Sequence, residues 1–177
     1  MERAGGMIGG RILSAITPVL LGALGALAAN FPISFLGNLV PPPLLSLMPL
    51  YFWGIVRPDL MSPFWAFMLG LLEDFLSGPG SPPGVWAASY VAAYAFLDSQ
   101  RDVLAGLSGL GALMGFALTA LVACVSAYLI VDVYHWRVQP LAPVLAELAV
   151  TVIAYVFAVV ILGGIHRRVV GPLRSDF

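Results

Sequence analysis

Glu73 and Asp74 stand side by side at the end of the apolar run Phe64-Trp-Ala-Phe-Met-Leu-Gly-Leu-Leu-Glu-Asp-Phe-Leu, just before the Gly/Pro-rich stretch Ser77–Gly84. Paired carboxylates serve as a general acid and base only when both reach one substrate position. Neighbouring residues on a helix point about 100° apart, so this pair diverges. Gly70, Asp74 and Gly78, at i, i+4 and i+8, share one stripe instead. An acid flanked by glycines lets a neighbour's backbone approach, and an acid at membrane depth must face other helices or a cavity. Asp74 is therefore expected to accept hydrogen bonds from the backbone or an arginine of an adjacent helix, fixing a hairpin or docking a partner. Lining a ligand cavity is the second reading. Glu147, one turn inside the last apolar run, is expected to be a first-turn acid favoured by the helix dipole.

Other chemistry finds few residues. No HExxH occurs, and His135 and His166 are far apart and flanked by Trp or Arg, so no metal site or cofactor is expected. Gly106-Leu-Ser-Gly109 matches the nucleophile pattern of an intramembrane protease, but Ser108 would need a histidine at its own depth. With no lysine there is no Walker A motif, and no basic surface for nucleic acid. The one cysteine, Cys124, excludes an internal disulfide and reads as an apolar filler.

The elements that must hold these residues are membrane helices. Of 177 residues, 60% are apolar and 10% charged, against roughly 45–50% and about 25% in soluble domains. An integral membrane protein is expected, as one six-helix domain with spans near 12–29, 43–56, 63–77, 85–98, 103–131 and 141–165. The first contains Ala26-Leu-Ala28, which leaves signal-peptide cleavage as an alternative. Pro49 should kink the second near its centre, and Pro63 suits the first turn of the third. The fifth, at about 43 Å, exceeds the bilayer core and carries Gly111-x-x-x-Gly115. Trp53, Trp86, Trp136, Tyr51 and Tyr134 are expected at the membrane interfaces.

Cytoplasmic flanks collect arginine. If the N-terminus is inside, Arg3, Arg11, Arg57, Arg101, Arg167, Arg168 and Arg174 fall on the inner side and Arg137 alone on the outer. Both termini are then cytoplasmic, and the charge-free connections 30–40 and 77–84 lie outside.

Arg57-Pro-Asp59, Gly70-Leu-Leu-Glu-Asp74, Ser77-Gly78 and Gly84, within a six-span chain of this size, resemble the MreD family of rod shape-determining proteins, in its α-proteobacterial form. The turn Gly80-Ser-Pro-Pro-Gly84 is longer and richer in proline than the family's usual ending. The resemblance implies a non-enzymatic subunit of the cell-elongation machinery in the bacterial inner membrane. It implies partnership with MreC, and with MreB, RodA and its penicillin-binding transpeptidase, with Arg57, Asp59, Gly70, Asp74, Gly78 and Gly84 as its structural or docking residues. It also implies a fold similar to the S-components of energy-coupling-factor transporters. That likeness supplies the rival reading, a small-molecule-binding transporter subunit; an intramembrane protease using Ser108 comes third.

Overall fold

A short helix that is apolar on every side must be covered on every side, and the fold is built around one. In a computed structural model describing residues 2–31, 41–78 and 82–170, all regular structure is helical. The helices are α1 (Glu2–Ala29), α2 (Leu47–Val56), α3 (Pro63–Leu76), α4 (Val85–Ser99), α5 (Arg101–Ala105), α6 (Leu110–His135) and α7 (Leu141–Ile165), the last running into a π-helical turn, His166–Val170. The connection 32–40, the loop tip 79–81 and Arg174 lie outside the described residues.

The sequence LMPLYFWGIV of α2 has no polar face, and α1, α4, α6 and α7 all pack against it. Leu47, Leu50, Tyr51 and Trp53 are buried there. Tyr51 meets Phe116 of α6 and Tyr155 of α7 edge-on, with centroids at 5.3 and 5.7 Å, while those two rings stack at 3.8 Å. The Tyr51 hydroxyl donates to the Ala112 carbonyl at 3.1 Å. Tyr51 and Trp53 are thus core residues rather than interfacial ones, because the helices packed around α2 cover them; Tyr134 and Trp136, 62% and 91% exposed, remain at the surface.

Several boundaries differ from those read in the sequence. The first helix begins at Glu2 rather than near residue 12. The second begins at Leu47, so Pro49 falls in its first turn, where a missing N–H breaks no helical hydrogen bond. The fifth apolar run is two helices: Gly109, at φ +57°, turns the chain between α5 and α6. Gly115 packs inward, with the Tyr51 hydroxyl 2.6 Å from where a Cβ would stand.

Two helices, Leu110–His135 and Leu141–Val170, are long and apolar enough to cross a membrane. Their outward rows include Met114, Leu118, Val125 and Leu129 on α6 and Ile153, Phe157, Val160 and Ile161 on α7. By contrast α2, α3 and α4 have 10, 14 and 15 residues, or about 15 to 22 Å of helix.

Candidate functional site

The tightest pairing in the molecule is α3 on α4, and it follows from two residues one turn apart. At Gly70 the two backbones nearly touch: a Cβ there would sit 2.6 Å from the Ala87 Cα and against the Trp86 carbonyl oxygen. Only glycine permits that approach. One turn later, Asp74 accepts hydrogen bonds from the Trp86 and Ala87 amides, Oδ1 at 2.9 Å and Oδ2 at 3.0 Å. Those amides belong to the first turn of α4, where no helical carbonyl is available to them. The residue in the capping position, Gly84, has no side chain to offer. Asp74 therefore caps α4 from another helix, its charge beside the positive end of the peptide dipoles.

The loop between the helices needs two left-handed residues, Gly78 at φ +78° and Gly84 at φ +91°. Gly78 lies past the end of α3, so its role is the turn rather than a continuation of the helical stripe. Of the two glycines expected to admit a neighbour's backbone, Gly70 does so, toward α4, and Gly78 serves the turn instead.

Glu73 points the other way and is the more deeply buried acid, 4% exposed. Its Oε1 accepts from the Ser46 hydroxyl at 2.5 Å, and Oε2 from the Asn30 amide nitrogen at 2.7 Å. The Tyr90 hydroxyl lies 2.6 Å from Ser46 Oγ and 3.4 Å from Oε1. Asn30 also donates to the Ala26 carbonyl at 2.9 Å. One carboxylate thus gathers the end of α1, the residue before α2, and α4 onto α3. Spacing in the sequence singles out Asp74 rather than Glu73 and does not point to Asn30, Ser46 or Tyr90. The signal available was positional, since a buried carboxylate must find donors and Asn30 and Ser46 are the polar residues at the adjoining segment ends.

Glu147 is corrected as well. Because α7 begins at Leu141, this acid stands beyond its first turn. It borders a cleft of about 240 Å³ whose walls come from α4 (Val85, Trp86), α6 (Cys124, Tyr128) and the α6–α7 connection (Gln139, Pro140). Among the described residues none donates a hydrogen bond to its carboxylate.

Arg57 and Asp59 are not brought to Asp74. They form a two-pronged ion pair in the α2–α3 turn, Nε to Oδ1 and Nη2 to Oδ2, both at 2.8 Å. The guanidinium's hydrogen bonds hold the Asp59 carboxyl below the usual carboxylate range. This turn lies near His166, at the opposite end of the helices from Asn30, Glu73, Trp86 and Glu147. Ser108 is exposed in the α5–α6 turn, and among the described residues no hydrogen bond joins it to a histidine and no group of His, Cys, Asp and Glu is arranged to hold a metal ion.

What these side chains can do is join helices. Glu73 and Asp74 form one clamp, the first inward to three segments, the second across to α4. The chain matches no known protein family, no curated protein and no solved structure.

Proposed function

We propose that the chain is a multi-pass inner-membrane scaffold of the bacterial elongation machinery, an MreD-like subunit that binds MreC and helps organise peptidoglycan synthesis. The observation that carries the reading is the α3–α4 hairpin. The residues of the resemblance in it are committed to internal joints, at Gly70, Asp74 and Gly84. The outer side of α3 meanwhile presents Phe64, Phe67 and Phe75, at 60%, 41% and 78% exposure. An apolar aromatic row on a helix suits packing against another membrane helix.

The six-span topology is part of the proposal. It is supported by the distribution of arginine among the described residues: Arg57, Arg101, Arg167 and Arg168 lie toward the end of the α2–α3 turn, together with Asp59, Asp98 and Asp102, and Arg137 alone lies toward the end that holds Glu73, Asp74, Asp132 and Glu147. The former end is cytoplasmic by the arginine bias.

The test is recovery of MreC with the tagged full chain in mild detergent. Phe67→Ala and Phe75→Ala should reduce recovered MreC while leaving the melting temperature of the subunit unchanged. The cleft beside Glu147 favours the rival reading, a ligand-binding transporter subunit. That reading takes precedence if MreC is never recovered and a soluble vitamin-like compound raises the melting temperature in proportion to the logarithm of its concentration.

A further inference from the structure

The Glu147 cleft has features that scaffolding does not use. Its walls are apolar or aromatic apart from Gln139 and Glu147, and Glu147 has no hydrogen-bond donor among the described residues. A carboxylate sheltered by apolar groups is costly unless a cation or donors reach it. The Trp86 and Tyr128 rings that share the cleft attract cations to their faces. Its volume of about 240 Å³ lies below the roughly 300–1,000 Å³ of pockets for drug-sized ligands, so a group of a few heavy atoms fits best.

Hydrogen bonds hold the wall formed by Tyr128 and Gln139. The Tyr128 hydroxyl donates to the Gln139 carbonyl at 3.0 Å, and the Gln139 amide donates to Asp132 Oδ1 at 2.9 Å. Two residues before Gln139 stands Arg137, exposed and without an acidic partner among the described residues. A guanidinium offers paired N–H donors that match phosphate geometry. The cleft lies among α4, α6 and α7, and the last two are long and apolar enough to cross a membrane, with exposed Leu129 and Leu145 that give hydrocarbon chains a surface.

We propose that this cleft binds the phosphoethanolamine headgroup of a phospholipid, with Glu147 receiving the ammonium, Arg137 the phosphate, and the acyl chains lying along α6 and α7. A cation, an anion and two apolar tails are then matched at once, which no soluble amine requires. The proposal rests on the membrane placement of α6 and α7 and is independent of binding to MreC.

The experiment is native mass spectrometry of the full chain released from detergent with equimolar phosphatidylethanolamine, phosphatidylcholine and phosphatidylglycerol. Phosphatidylethanolamine should be retained about tenfold over the other two, as one charge-assisted hydrogen bond would give. Phosphatidylcholine carries no N–H and phosphatidylglycerol no ammonium. Glu147→Gln should erase that preference, while Arg137→Gln should lower retention of all three together. Equal retention by the wild-type chain, or a preference that survives Glu147→Gln, overturns the proposal. Displacement of the lipid by free phosphoethanolamine at comparable concentration assigns the cleft to a soluble ligand and overturns it too. If Glu147→Gln fails to fold, wild-type retention of phosphatidylethanolamine against its N-methylated analogues decides the matter, and indifference to methylation is the negative result.

Discussion

Adjacent acids with different work are separable by substitution. Asp74→Leu leaves two first-turn amides of α4 without acceptors, a loss of about 1–3 kcal/mol, and Asp74→Asn should recover part of it by restoring one acceptor. Glu73→Leu removes the acceptor for Ser46 and Asn30 together at a more buried position, so it should lower the melting temperature further than Asp74→Leu does. Thermal unfolding in detergent ranks the three. If Glu73→Leu proves the mildest, the polar cluster around it contributes little. At the other end, the Arg57–Asp59 pair titrates. Asp59 has its folded pKa below its unfolded one, so its contribution is complete above the unfolded value and is lost as pH falls through the folded one. Because Asp59 is partly exposed, the effect is small. The acid side of the stability profile should flatten slightly in Asp59→Asn, and an unchanged profile would remove the pair from the list of stabilising contacts. The direction of Asp74 toward a neighbouring helix could be argued from its spacing with Gly70 alone. The donors of Glu73 could not, because Asn30, Ser46 and Tyr90 are brought together only by the packing of α1, α2 and α4.

Helix limits were legible where the punctuation is strong. Pro63 and the Gly/Pro loop bracket α3 and α4 closely, since neither signal allows a helix to continue. They were illegible where apolar residues run on without interruption: nothing in Val103–Val131 but two glycines marks the break between α5 and α6. That break makes a prediction about backbone strain. Gly109, at φ +57° and ψ −122°, occupies a region that side chains disfavour by about 1–3 kcal/mol, so Gly109→Ala should destabilise by that order. Pro49→Ala, in the first turn of α2, should change stability by less than about 1 kcal/mol. A larger loss at Pro49 than at Gly109 would restore the kinked second helix and the continuous fifth one. Gly70→Leu should prevent assembly of the hairpin altogether, because the obstacle it meets is the main chain of α4 and not a side chain that can turn aside.

For the molecule as a whole, composition points to long apolar helices and leaves the architecture open. Apolar content accounts for helices α6 and α7, yet the same content in α2 produced a buried central post, which differs from them in length and in neighbours rather than in hydropathy. Single cysteines in a Cys124→Ala background test the orientation. Gln139→Cys should react with a membrane-impermeant thiol reagent added to intact cells, and Ser62→Cys and Ser99→Cys should not. Labelling of Ser99→Cys from outside would end the six-span topology.

In the proposed six-span topology, the cap that Asp74 supplies also constrains how the chain enters a bilayer. Residue 74 leaves the ribosome before the amides of Trp86 and Ala87, so α3 emerges carrying an acceptor whose donors have not been made. Helix α4 then emerges with its first turn unsatisfied, in a solvent that cannot hydrate it. Each half lacks what the other holds, and the cheapest passage through the insertion machinery is for both to wait and partition as a pair. A nascent chain stalled after α3 should remain at the protein-lined exit, and release into lipid should coincide with the synthesis of α4.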